Sequence, residues 1–170
     1  VAKTEQRRFE FIIPTNEGEF FTGYSEQGLV NLSFPRNGES KMAATFENVP
    51  PQVLRWHEIA SRALCRAVAG KPPGELPPLD LSSGTSFQQA VWNALRQIRL
   101  GETRSYGEVA KMIGKANAVR AVGGACGKNP VAVLIPCHRV LAAHSRLGGF
   151  SADMKWKRTL LEREGAGFRG

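Results

Sequence analysis

The sequence predicts an α+β protein (a mixed α/β class) in two parts: a small antiparallel sheet-plus-helix lobe over residues 1–81 and a mostly helical lobe with a helix-turn-helix over residues 82–170. Three observations predict it. Short aromatic and β-branched runs separated by turn residues come first. One segment of helical period follows. Then Lys71-Pro72-Pro73-Gly74-Glu75-Leu76-Pro77-Pro78 interrupts the chain, because proline neither continues a helix nor enters a central strand. Beyond that break, helix-start signatures recur.

Residues 8–13, Glu19 to Tyr24 and Leu29 to Phe34 read as strands of a meander, with turn chemistry at Thr15-Asn16-Glu17-Gly18 and Ser25-Glu26-Gln27-Gly28. From Val53 to Val68 the period changes: Val53, Trp56, Ile59, Ala60, Ala63, Leu64, Ala67 and Val68 share one helical face, and Gly70 ends the run. His57 lies within that helix and reads as structural or solvated. In the second part, Ser86 with Gln89 predicts a capping box opening a helix whose stripe is Phe87, Val91, Leu95 and Ile98, widened by Trp92. Ser105-Tyr106-Gly107-Glu108 repeats the signature before a short helix ending at Gly114. Asn117 is the expected cap of a third helix running to about Cys126 and Gly127. Two short helices around a glycine-containing break suggest a helix-turn-helix. The second of them, Ala118-Val119-Arg120-Ala121-Val122-Gly123-Gly124-Ala125, has little side-chain bulk. It suits close approach to a narrow surface such as a DNA groove, or tight packing on a neighbouring helix. Val131 to Ile135 is too short for a helix and reads as a buried strand or extended segment, stopped by Pro136. A last helix is expected from about Ser151 to Glu164.

The 170 residues, 42% hydrophobic, suffice for a real core. No run of about 18 apolar residues occurs, which argues against a membrane span. Val1 to Glu10 is charged and lacks the apolar stretch of a secretory signal, so a cytoplasmic protein is expected. Three cysteines, Cys65, Cys126 and Cys137, form an odd set without Cys-x-x-Cys. That disfavours a disulfide framework and a thiolate zinc site. The net charge of +8 is uneven: residues 1–81 sum to −1 and residues 82–170 to +9. One-signed charge on one half fits a polyanion such as DNA, or a solvated basic surface.

The chemistry converges on Cys137. A free thiol is a few per cent thiolate at pH 7, and His138 stands beside it. An imidazole, acting directly or through a water, can take the thiol proton, and a carboxylate behind it would orient the ring. A Cys-His pair alone is equally a packed cysteine beside a surface histidine.

The wider string decides. Ile135-Pro136-Cys137-His138-Arg139-Val140 resembles the active-site signature of the O6-alkylguanine-DNA alkyltransferases, also called methylated-DNA–protein-cysteine methyltransferases, a family that includes the C-terminal domain of the bacterial Ada protein. Phe87 to Ile98, Ser105-Tyr106, Arg120 to Ala125, Asn129-Pro130 and Leu160 to Gly165 match in order and spacing, so the resemblance covers residues 82–165 strongly. Residues 1–81 match in architecture only, as a ribonuclease H-like lobe.

The resemblance implies that Cys137 accepts an alkyl group from O6 of guanine, and possibly from O4 of thymine, in double-stranded DNA. His138 would deprotonate it through a water, Glu164 would hold His138, and Asn129 would brace the segment. Tyr106 would donate to guanine N3 and Ser151 to O6, and the backbone of Cys137 and Val140 would read the exocyclic amine. Arg120 would fill the stack where the target nucleotide flips out. Ala118, Ala121 and Gly123 with Ser105 would meet the minor groove. The product is a thioether, so one molecule would act once, as a monomer and with no cofactor. Many relatives carry tyrosine at Phe150, and a relative carries methionine at Cys126 in the pocket wall. Some relatives bind zinc in the first lobe; with only Cys65 and His57 there, no metal is expected. The rival readings are a Cys-His hydrolase, a catalytically silent DNA-binding module, and a piece of a larger regulator.

Overall fold

The computed structural model describes residues 7–36 and 47–170; residues 1–6 and 37–46 of the first lobe lie outside it, including most of the charged Val1 to Glu10 stretch. Strands β1 (Phe9–Thr15), β2 (Gly18–Tyr24) and β3 (Leu29–Ser33) form an antiparallel sheet in the order β1-β2-β3. Alternation along β1 buries Phe9, Phe11 and Ile13 and turns Glu10 outward, as a sheet with one covered face requires. Helix α1 (Pro51–Val68) lays its apolar face on the sheet. It starts two residues before the expected Val53, because Pro51 occupies the first helical position, where no N–H is needed. Gly70 follows in the left-handed region, φ 76°, where a Cβ would run into the carbonyl of Arg163.

Beyond the proline segment lie α2 (Ser86–Leu95), β4 (Arg104–Ser105), α3 (Tyr106–Met112), α4 (Val119–Gly127), a 3-10 turn at Cys137–Arg139, β5 (Val140–Leu141) and α5 (Met154–Arg163). β4 pairs parallel to β5. The cap of α2 is Thr85 rather than Ser86: its hydroxyl accepts from Gln88 N–H, and the Gln88 side chain returns to Thr85 N–H. Both registers fit the capping-box pattern; Gln89 instead reaches the carbonyl of Gly84. The Ser105–Glu108 box forms as expected. Asn117 does not cap α4; Ala118 occupies that position and gives no side-chain cap. Helix α5 starts at Met154, not Ser151, because Asp153 accepts from Lys155 N–H and sets the first turn.

The stretch 131–135 is buried but is no regular strand. Val133 takes φ 68°, costly for a β-branched residue, and Ile135 N–H bonds back to Val131 O. Its entrance is tied to the sheet. Leu32 N–H donates to Pro130 O, and Ala132 N–H donates to Leu32 O, each at 2.9 Å. At the other end of β3, Leu29 N–H donates to Pro78 O and Asp80 N–H to Leu29 O. The outer side of β3 is thus occupied by the proline segment and by the approach to Cys137. One apolar cluster runs from Phe11 and Leu32 through Trp92 and Val122 to Ile135 and Cys137. Trp92 joins α2 to α4, its indole N–H donating to Ala125 O at 2.9 Å.

Candidate active site

Cys137 sits at the start of a 3-10 turn held between a buried segment and β5, and is 8% exposed. Asn129 fixes the way in: its Nδ2 donates to Ile135 O at 2.8 Å, and its Oδ1 accepts from Val131 N–H at 3.0 Å. Both bonds close the loop that delivers Pro136 and Cys137. Burial pushes the Cys137 thiol up, against a lowering from Asn129, the charge of Lys157 and neighbouring N–H groups. At rest the sulfur is therefore protonated and needs a base.

A candidate base is the next residue in the chain. His138 is 1% exposed, and its Nε2 lies 2.8 Å from Glu164 Oε1. An ionised carboxylate only accepts, so Nε2 carries the proton and Nδ1 offers a lone pair. Nδ1 is buried and has no hydrogen-bond partner among the described residues. Burial lowers the His138 pKa, against the raising influence of Glu164. For Glu164, burial acts upward, yet hydrogen bonds from His138 and Arg139 with their charges win and hold it at about 2.

Sequence reasoning assigned no role to Arg139 or Lys157. Arg139 clamps Glu164 through Nε at 2.9 Å and Nη2 at 3.0 Å, while Nη1 donates to Ile98 O at 2.7 Å. The paired carboxylate explains how an arginine tolerates burial. Lys157 is 0% exposed; its Nζ donates to Val140 O at 2.7 Å and Gly149 O at 3.2 Å. Its position in line with Leu160 and Leu161, three and four residues on, was the available signal: a cation on the buried stripe of the last helix.

A cavity of about 360 Å³ opens onto Cys137, lined by Tyr106, Gly123, Cys126, Gly127, Phe150 and Ser151 among others. It brings together residues from α3, α4, the 3-10 turn and the loop before α5. The Tyr106 hydroxyl donates to Gly149 O at 3.3 Å, and burial first, then the two cysteines, raises its pKa to about 12. The Cys126 thiol is likewise pushed to about 12, chiefly by burial. Phe150 puts a ring without a hydroxyl in the wall. A second cavity of about 480 Å³ reaches Cys137 from the sheet side, past Phe34, Trp156 and Ala132.

Arg120 and Ala121 do not line this cavity; they are exposed on the first turn of α4. Ala118 is half-buried at the α4 cap. The Ser105 hydroxyl is committed to capping α3. Gly123 lines the cavity while Gly124 faces open space, so one face of α4 forms the pocket wall and the other is bare.

The chain is similar to known proteins in sequence and in fold. Residues 86–166 match the family model described as 6-O-methylguanine DNA methyltransferase, DNA binding domain. A methylated-DNA–protein-cysteine methyltransferase of Methanosarcina acetivorans is 39% identical over 152 residues, 88% of this chain and 93% of that one. Its counterpart from Methanosarcina barkeri is 36% identical over 156 residues, 90% and 94% of the two chains. The crystal structure of Mycobacterium tuberculosis OGT in complex with DNA superposes with a TM-score of 0.74 at 38% identity, covering 92% of each chain.

Proposed function

The chain belongs to the methylated-DNA–protein-cysteine methyltransferase family, and from that premise we propose that Cys137 is its alkyl acceptor, working once per molecule on O6-alkylguanine flipped out of duplex DNA. The protein is a DNA-repair enzyme that acts by alkyl transfer. The observation that carries the assignment of residues is the buried line from Glu164 to His138, whose Nδ1 has no hydrogen-bond partner among the described residues and belongs to the residue next to a protonated sulfur.

The steps balance. The Cys137 proton passes through a water to His138 Nδ1, and Glu164 steadies the imidazolium. The thiolate attacks the alkyl carbon in line. A sulfur–carbon bond forms, the carbon–O6 bond breaks, and its electron pair goes to the purine. Tyr106 turns its hydroxyl from Gly149 O to guanine N3, so the base leaves neutral. Ser151 donates to O6, and the backbone of Cys137 and Val140 reads the exocyclic amine. The thioether has no acidic proton and no ready leaving group, so the enzyme ends alkylated and needs no cofactor.

Arg120, exposed at the start of α4, fills the space of the extruded nucleotide, which costs a few kcal/mol to flip. Ala118, Ala121 and Gly123 let the helix backbone enter a minor groove roughly 6 Å wide. No helix among the described residues is long and apolar enough to cross a membrane; the reading puts the protein, as a monomer, in the compartment that holds the DNA.

Intact mass after mixing with methylated duplex tests the whole. One added methyl, mapped to Cys137 and stopping at one equivalent, is expected. Cys137→Ser is expected to bind duplex and transfer nothing; transfer by that variant, or several lesions restored per molecule, removes the assignment.

A further inference from the structure

Two of the three cysteines line one cavity. Cys126, on the buried face of α4, and Cys137, on the 3-10 turn, both border the space of about 360 Å³ that Tyr106 and Phe150 share. Both thiols are free and buried. The two residues stand eleven positions apart in the chain, and Asn129 cinches the loop between them. Its backbone N–H donates to Cys126 O at 3.2 Å, and its Nδ2 donates to Ile135 O at 2.8 Å. The charge of Cys137 adds to burial in raising the Cys126 thiol to about 12, as a neighbour across a poorly screened pocket does. Gly127, the last residue of α4, has no Cβ, and one built there would meet nothing within 4 Å, so the end of the helix has room to shift. The alkyl-transfer steps leave Cys126 unused. Cys65, by contrast, is exposed on α1.

We propose that Cys126 is the resolving thiol of a reversible disulfide with Cys137, formed when a hydroperoxide reaches the acceptor before a lesion does. This rests on Cys137 being the alkyl acceptor. The Cys137 thiolate, freed by His138, attacks the nearer oxygen of the hydroperoxide. A sulfur–oxygen bond forms, the oxygen–oxygen bond breaks, and the other half leaves with the proton as an alcohol, or as water from hydrogen peroxide. The sulfur is oxidised by two electrons to a sulfenic acid, and the peroxide is reduced by two. The Cys126 sulfur then attacks the sulfenic sulfur. A sulfur–sulfur bond forms, the sulfur–oxygen bond breaks, and the departing hydroxide takes the Cys126 proton and leaves as water. A raised pKa suits Cys126 to this second place, because a protonated thiol is a poor target for peroxide. Without a second thiol in reach, the sulfenic acid goes on to a sulfinic acid, which simple thiols do not reduce. The disulfide ties up the acceptor sulfur, so transfer stops until a dithiol exchanges it back.

The test treats the full chain, without DNA, with hydrogen peroxide. Intact mass is read first; remaining thiols are then blocked with N-ethylmaleimide under denaturing conditions and the peptides mapped. The wild type is expected to lose the mass of two hydrogens, to carry Cys126 and Cys137 in one linked peptide pair, and to be labelled at Cys65 alone. Single-turnover methyl transfer by the same sample is expected to fall about tenfold or more and to return with dithiothreitol. In Cys126→Ser, and in Cys126→Ala where the serine variant does not fold, peroxide is expected to leave Cys137 as a sulfinic acid that dithiothreitol does not restore. A wild type that gains oxygen on Cys137 while Cys126 stays free overturns the proposal. So does linkage through Cys65 between two copies, or a chain whose thiols all stay free through an excess of peroxide. Transfer by untreated protein, run alongside, separates these outcomes from failure of the functional assignment, since the linkage is read without DNA.

Discussion

Glu164 is the residue on which acid stability turns. In the fold its pKa is about 2, whereas the ordinary value is 4.5. A group depressed in this way contributes stability above its unfolded pKa, and that stability drains as pH falls through the folded one. His138 acts in the same direction: buried and lowered from 6.5, it refuses a proton that the unfolded chain accepts. Lys157 is charged in both states below about 8 and adds no acid slope. Urea midpoints are therefore expected to decline gently from pH 7 to 5 and steeply below 4.5. Glu164→Gln is expected to flatten the steep limb; an equally steep limb in that variant would place the acid-sensitive group elsewhere. Of this network, Cys137, His138 and Glu164 were readable in the chain because their family signature is local and specific. Arg139 lay inside the same hexapeptide without a role, since a signature gives order and not contacts. Lys157 carries no such signature: charged residues in a helix are usually solvated, and only packing shows which one is not.

Helix α4 serves as a wall and as a face. Val122, Ala125 and Cys126 are buried, Gly123 lines the cavity, and Arg120 and Ala121 are exposed. Bulk added to the exposed side should block a groove without disturbing the core. Ala121→Leu is expected to weaken duplex binding at least tenfold while leaving the melting temperature and the reaction with free O6-alkylguanine near wild type. Arg120→Ala is expected to slow repair of duplex far more than reaction with the free base; equal losses on both would remove it from the flipping step. The helices themselves were largely legible, because apolar period and capping boxes are written locally. Their ends were less so. Thr85 displaced Ser86 because two overlapping boxes compete, and Asn117 failed to cap because the turn after Gly114 places Ala118 at the entry of α4. The segment 131–135 looked extended by composition, but its path is set by Asn129 and by β3, which no local pattern encodes.

At the scale of the molecule, charge and core divide differently. The excess of +9 belongs to residues 82–170, which suits a duplex held by that half and an affinity that falls with salt. The apolar cluster, however, runs without a break from the sheet to Cys137. The proline segment predicts two lobes. Burial patterns say which residues go inside but not whether two interiors merge. Arg163 adds a further tie, pairing with Glu17 of the β1–β2 turn and donating to Val68 O one residue before Glu164. A single calorimetric transition is expected, with equal van't Hoff and calorimetric enthalpies; two resolved peaks would show that the halves unfold independently. The pairing along β3 has one more consequence. A terminal strand normally offers its spare amides to any chain that drifts past, and cells answer that hazard with charge or bulges. Here the partners of Leu29 and Leu32 come from the protein's own later residues. Until the segment that leads into Cys137 is in place, the Leu32 end of β3 therefore stays open, and the arrival of Pro130 and Ala132 covers it.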